Sequence, residues 1–380
     1  MRTGRFGQRS VVVGLCCALA LAACSDDDDG TGGSGATGGG GSTTSQTSDG
    51  AGPANGGAPA TGGEAATGGA PTGGQGGAGG SGQGGEGGGA PGGFLRFVAL
   101  GDAGEGNERQ NKVADVIKTV CDARGGCDFA LYTGDNLYPS GADSADDPQF
   151  QTKFEQPYSE LDFQFHVVLG NHDYGGDGAG FEFDKAQNEI SYSQASTKWS
   201  LPSRYYSMKS PEDLIGPSAE FFMLDTNYIL FTGDSEQQDW LDGAIAASNK
   251  HWKIGVGHHP YVSNGPHGNA GAYDGLPDWF PVASGANVKD FFDDSVCNKM
   301  DVYICGHDHD RQWLNPNCGI EFIVTGAGAK MTDLEGDNPT FYEDDQKGGF
   351  LLVELTETTF TGTFYDEDGV MNFTRTVTKP

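Results

Sequence analysis

Two histidines stand one residue apart at the end of an apolar run, in Val302-Tyr-Ile-Cys-Gly-His-Asp-His-Asp310. Either one alone would read as an ordinary, satisfied polar residue at a strand end. As a pair, His307 and His309 can reach two neighbouring points from one turn, and imidazole nitrogen is the commonest protein ligand for zinc, iron and copper. Metal chemistry then requires partners elsewhere in the chain. They recur in one pattern: Gly101-Asp102, Gly134-Asp135, Gly170-Asn171 and Gly257-His258 each follow a β-rich run. A turn-forming glycine explains any one of these endings. It does not explain five that carry Asp, Asp, Asn, His and His.

The elements that must position these groups are legible as strands alternating with helices. Residues 94–100, 128–133, 163–169, 220–226, 252–256 and 301–305 are strand-like, and 109–123 places Val113, Val116, Ile117 and Val120 on one helical face. A second helix is expected near 237–247. Further strands are expected at 320–325, 349–356, 358–365 and 370–378, with Asp368-Gly369 as a hairpin turn between the last two. Ligands of open α/β sheets gather beyond the carboxyl ends of the strands. The pattern predicts a mixed-sheet α/β sandwich with helices outside and one crevice that collects all five endings.

Taken together, Gly101-Asp102-Ala-Gly104, Gly134-Asp135-Asn-Leu-Tyr138, Gly170-Asn171-His172-Asp173, Gly257-His258-His259-Pro260 and Gly306-His307-Asp308-His309 resemble the five-motif signature of metallophosphoesterases. Asp-x-Gly at 102–104 and Gly-Asp-x-x-Tyr at 134–138 resemble the purple acid phosphatases in particular. Ile190-Ser-Tyr-Ser, Lys198-Trp-Ser-Leu-Pro-Ser-Arg-Tyr-Tyr206, Phe222-Met-Leu-Asp-Thr226 and Thr325-Gly-Ala-Gly328 are similar to the small, tartrate-resistant type. The resemblance implies a four-layer α/β/β/α sandwich over 94–380 and hydrolysis of phosphate monoesters at two metals. It implies that Asp102, Asp135, Tyr138 and His309 hold iron(III). Asp135 would bridge to a second, divalent metal (iron, zinc or manganese) held also by Asn171, His258 and His307. Anionic Asp and Tyr oxygens suit a hard trivalent ion, while neutral Asn and His suit a divalent one.

The same resemblance implies that His172 contacts the phosphate or leaving group with Asp173 orienting it, and that His267 donates a proton or hydrogen bond to the leaving oxygen. In the fourth motif His258 is chosen over His259 because the family spacing is His-x-Pro and Pro260 lies two residues beyond it. Ala103 stands where close relatives carry an aromatic residue, which predicts a pocket opened on that side. The alternatives are a phosphodiesterase or nucleotide phosphatase of the same fold, and a non-catalytic surface module that binds phosphate or a partner.

Composition divides the chain. Arg2, Arg5 and Arg9 precede the apolar run Val11 to Ala23, which is too short for a comfortable membrane span and reads as a secretory signal over 1–23. The run ends Leu21-Ala22-Ala23-Cys24, which resembles the lipobox of bacterial lipoproteins, with Cys24 as a lipid anchor to the membrane; an ordinary signal-peptidase site nearby is the alternative. Residues 24–93 are expected to be a tether, because from Ser25 onward they contain no Val, Ile, Leu, Met, Phe, Trp or Tyr. Random-coil scaling gives such a segment a root-mean-square reach of roughly 40–50 Å. Residues 94–380 carry 19 Lys and Arg against 46 Asp and Glu, a formal charge of −27. That balance argues against nucleic acid, whose binding neutralises phosphates with Lys and Arg, and favours small phosphorylated substrates received by metal ions. Cys121 with Cys127 and Cys297 with Cys318 are the expected disulfides of an exported protein, leaving Cys305 buried in a strand.

Overall fold

The computed structural model describes residues 93–210 and 218–380. The expected signal peptide, Cys24 and the tether as far as residue 92 lie outside them. Fourteen strands occur among the described residues: β1 (Leu95–Leu100), β2 (Phe129–Thr133), β3 (Gln164–Val168), β4 (Trp199–Ser200), β5 (Tyr206–Lys209), β6 (Ala219–Met223), β7 (Trp252–Val256), β8 (Val302–Cys305), β9 (Arg311–Leu314), β10 (Glu321–Thr325), β11 (Thr340–Asp344), β12 (Gly349–Leu355), β13 (Thr359–Asp366) and β14 (Met371–Thr378). They form two seven-stranded sheets, ordered β14-β13-β12-β1-β2-β3-β4 and β11-β9-β10-β8-β7-β6-β5. At the centre of the first sheet β1, β2 and β3 run parallel, and in the second β6, β7, β8 and β10 do. These central strands are nearly continuous apolar runs, as strands covered on both faces must be.

Alternation along the second sheet divides the core. Phe221, Ile254, Ile304 and Ile323 face the first sheet. Their neighbours Phe222, Tyr303, Cys305 and Phe322 pack the other way, against Ile229, Leu241, Val288 and Phe291 of α3 (Thr226–Thr232), α4 (Ser235–Ala247) and α5 (Ala286–Phe291). Successive side chains on a strand point to opposite faces, so one strand serves two layers. Between the sheets Phe97 stacks on Phe129 at 5.0 Å, and both meet the edge of Phe221 at 5.4 and 5.5 Å. Truncating Phe221 to Ala would cost about 3–5 kcal/mol. On the first sheet α1 (Glu108–Ala123) buries Val113, Ile117 and Val120. Its start is set by Asn107, whose side chain accepts from the Gln110 N–H. Helix α2 (Ala186–Tyr192) lies between β3 and β4 in the chain. The result is the mixed-sheet α/β sandwich expected.

Local chemistry moves some boundaries. The run expected at 220–226 stops at Met223 because Asp225 caps α3, accepting from Tyr228 N–H. The sequence reading passed over β9, whose buried Arg311 and Gln312 obey no apolar alternation; they donate to Asp344 and Asp310. Disulfides join Cys121 to Cys127 and Cys297 to Cys318, with Cα separations of 5.3 and 5.2 Å, and Cys305 is a buried thiol.

Candidate metal centre

The ends of β1, β2 and β3 on one sheet meet the ends of β7 and β8 on the other. Asp102, Asp135 and His307 each have left-handed backbone, with φ of 55°, 53° and 73°. That conformation costs a non-glycine residue on the order of 1–2 kcal/mol, strain of a kind that clusters at functional sites. Cross-braces hold it: Asp102 N–H donates to Gly134 O at 3.0 Å, Gly306 N–H to His258 O at 3.1 Å, and His307 N–H to Asp102 Oδ2 at 2.9 Å. The motif glycines are required by crowding. A Cβ on Gly306 would lie 2.3 Å from Asp102 Oδ2, and one on Gly170 would lie 2.2 Å from Asp135 Oδ1.

Two groups of four donor atoms result, sharing one residue. Tyr138 Oη lies 3.2 Å from Asp102 Oδ1, 3.0 Å from Asp135 Oδ2 and 3.2 Å from His309 Nε2. His258 Nε2 lies 2.8 Å from Asn171 Oδ1, 3.1 Å from His307 Nδ1 and 3.4 Å from Asp135 Oδ1. Asp135 therefore presents one oxygen to each group. Both groups mix oxygen donors from the first sheet with imidazole from the second. Ligands held at roughly 2.0–2.2 Å from one ion sit about 3–3.5 Å from each other, the spacing found here.

The hydrogen-bond chemistry of these atoms fits cations. His258 Nδ1 faces Thr133 O at 2.9 Å, an acceptor, so Nδ1 carries the proton and Nε2 presents its lone pair. The Asn171 amide nitrogen donates to Gly178 O at 2.7 Å, which turns Oδ1 toward that same lone pair. In the other group the Tyr138 hydroxyl has one proton for three acceptors. Burial holds His258, His307 and His309 below the ordinary imidazole range, keeping them neutral and able to ligate. Burial, followed by the Asp135 carboxylate beside it, pushes Asp102 well above the carboxylate range. Convergent lone pairs and buried acids are costly unless a positive charge answers them.

Around this cluster the structure places His172 and His267. The His172 ring lies 4.3 Å from the Tyr138 ring, and its Nδ1 donates to Pro139 O at 2.6 Å. Pro139 O thus helps to orient the ring. Asp173 is fully buried and accepts from the backbone of Asn136, Leu137 and Gly170 and from the Asn136 amide, tying the second motif to the third. Burial, reinforced by Asp135, lifts its carboxyl to about 8. The His267 ring stacks on His307 at 4.0 Å, and its Nδ1 lies 3.1 Å from Asp274 Oδ1. His259 is a neighbour bonded to Thr226 at 2.9 Å. Ala103 does not open a pocket. It is fully buried, and a Cβ on Gly328 would lie 2.5 Å from its own.

Three residues escaped the sequence reading. Asp308, between the two histidines, accepts from His267 N–H at 3.0 Å and from Ser263 Oγ, holding the His267 loop against the site. Lys330 places its ammonium 4.4 Å from the Tyr138 ring centre and 3.6 Å from Glu105, bringing positive charge to an oxygen-rich cluster. Asp274 meets His267. Asp308 alone carried a signal, its place inside the metal motif.

Two sheets whose carboxyl ends present paired oxygen and imidazole groups around one shared carboxylate have the build of a dinuclear metallohydrolase. The family model for calcineurin-like phosphoesterase matches residues 95–311. Tartrate-resistant acid phosphatase type 5 of Sus scrofa is 29% identical over 318 residues, covering 74% of this chain and 86% of that protein. Purple acid phosphatase 17 of Arabidopsis thaliana is 30% identical over 313 residues, covering 73% and 82%. The solved structure titled "GAP50 the anchor in the inner membrane complex of Plasmodium" shares the fold, with a TM-score of 0.60, 20% identity, and coverage of 75% of this chain and 89% of that one. The chain belongs to the calcineurin-like phosphoesterase family and, within it, to the purple acid phosphatases.

Proposed function

We propose that the protein is an exported acid phosphatase that hydrolyses phosphate monoesters of small molecules at an iron(III) and a second, divalent metal. The observation that carries this reading is Asp135 presenting its two oxygens to two separate donor groups. Asp102, Asp135, Tyr138 and His309 would hold iron(III); Asp135, Asn171, His258 and His307 would hold iron, zinc or manganese. When bound, the two ions supply Lewis acidity and an activated water for in-line displacement. His172, fixed by Pro139 O, binds a phosphate oxygen. His267 protonates the leaving oxygen as its bond to phosphorus breaks, while the oxygen of water forms the new bond.

The test is the visible spectrum of the purified, oxidised protein with its iron content measured in the same sample. A broad charge-transfer band that Tyr138→Phe abolishes is the expected result. A colourless protein full of iron would overturn the assignment of Tyr138. Comparing a phosphomonoester with a bis(aryl) phosphate and ATP separates the monoesterase from a diesterase or nucleotide phosphatase.

Export with a lipid on Cys24, a tether over 24–93 and a catalytic domain over 94–380 form part of the same reading. Support comes from the two disulfides, which persist in oxidising compartments. Cys24→Ser is expected to move the protein from the membrane to the soluble exported fraction. An unchanged distribution sinks the anchor.

A further inference from the structure

We infer that Asp274 is a positioning residue that sets the imidazole of His267 for proton transfer to the leaving group, an inference that rests on the monoesterase reading above. Contacts with Asp308, His307 and Asp274 help to hold His267. Its backbone N–H donates to Asp308 Oδ1 at 3.0 Å, and its ring lies against His307 with centroids 4.0 Å apart and planes 23° from parallel. The third is a double link to Asp274: Asp274 N–H donates to His267 O at 3.1 Å, and His267 Nδ1 meets Asp274 Oδ1 at 3.1 Å.

The Asp308 hydrogen bond holds the main chain of His267, and a stacked ring can still turn over by half a rotation. The Asp274 carboxylate breaks that symmetry. It accepts a hydrogen bond from Nδ1–H, so Nε2 is the nitrogen presented at the opposite edge, beside the second metal's ligand His307. Asp274 itself has left-handed backbone, φ 51°, inside a short turn. Aspartate is among the few residues besides glycine that tolerate that conformation, and strain of this kind persists where surrounding contacts over-determine it. In the reaction the imidazolium of His267, protonated on both nitrogens, gives its Nε2 proton to the leaving oxygen, which receives the electron pair of the breaking P–O bond, and the ring is left as the Nδ1–H tautomer bonded to Asp274. Water supplies the new P–O bond and releases one proton, and a solvent proton restores His267.

Two variants suit the backbone. Asp274→Gly removes the carboxylate where glycine is at home; Asp274→Asn keeps an acceptor. Asp274→Gly is expected to lower kcat by roughly 10-fold on an alkyl phosphate, a part of the 10²–10⁴ that a general acid supplies, while barely changing p-nitrophenyl phosphate, whose leaving group needs no proton. Asp274→Asn should retain most of the activity. In a His267→Ala background Asp274→Gly should add nothing. An independent readout is the 15N spectrum of imidazole-labelled, zinc-loaded full-length protein, in which His267 should be the Nδ1–H tautomer and become mixed in Asp274→Gly. Equal losses on both esters, additive losses in the double variant, or an unchanged tautomer would each overturn the role. An active wild type with an indifferent Asp274→Gly defeats this inference alone. A wild type that hydrolyses no phosphomonoester defeats the parent reading and this one with it.

Discussion

Gly170 is the sharpest place to test whether the motif glycines exist for crowding. A Cβ there would lie 2.2 Å from Asp135 Oδ1 and 2.4 Å from Asp135 N. Carbon and oxygen tolerate about 3.3 Å, so Gly170→Ala must move Asp135 by roughly 1 Å. The side chain alone cannot swing clear, because the backbone nitrogen is struck as well. Asp135 faces both donor groups, so both are disturbed together. A misplacement of ~1 Å at a reacting centre costs about 10²-fold, and overpacking costs about 1–3 kcal/mol. We therefore expect Gly170→Ala to lower kcat about 10²-fold, to leave the chain short of metal on elemental analysis, and to melt several degrees earlier. The control is Gly243→Ala. Gly243 lies exposed in α4 with nothing within 4 Å of its would-be Cβ. There alanine should stabilise the helix by up to about 1 kcal/mol with kcat unchanged. Wild-type kcat and metal content in Gly170→Ala would refute the reasoning.

Asp135→Asn is expected to cost roughly 10³-fold or more in kcat and to lower metal content at both sites, since it removes the shared anion; loss from one site only would contradict the bridge. Because each donor group draws on both sheets, chelating the metals should lower the melting temperature. Metal at ~1,000 times its Kd is worth about 4 kcal/mol, on the order of 10 °C, and an unchanged melt would show that the sheets do not depend on it. His166, half-buried in β3 against Phe129, is held by burial at about 4. Its folded-state value lies below the unfolded ~6.5, so protons favour the unfolded chain, and stability falls as pH drops from about 6.5 to about 4 by on the order of 2–3 kcal/mol. His166→Gln should flatten that part of the stability profile in acid denaturation melts; an unaltered slope would assign the acid sensitivity elsewhere.

The donor-type residues that the structure brings together were legible from sequence because each is local to its element. A strand ends, a glycine follows, and the next residue is Asp102, Asp135, Asn171, His258 or His307, with Tyr138 and His309 a few residues on in the same motifs; periodicity finds the strand and residue type finds the donor. Helix α1 and the hairpin between β13 and β14 were readable for the same reason, a repeat of 3.6 or 2 with turn chemistry between. Even the two disulfides join cysteines 6 and 21 residues apart.

What only the tertiary structure decided is which polar group answers which. Asp173 follows His172 directly, yet neighbours in a tight turn point to different sides, and its carboxylate serves a loop 36 and 37 residues away. Ala103 is small because Gly328 packs onto it, not because a pocket needs room. The ammonium of Lys330 comes to lie over Tyr138, and Asp308 and Asp274 take opposite ends of His267, through packing that no spacing along the chain encodes. Sequence determines donor type and strand end, since both are properties of short segments. The direction of a hydrogen bond is a property of the packed whole, because a buried polar group takes whichever partner the surrounding layers bring within reach.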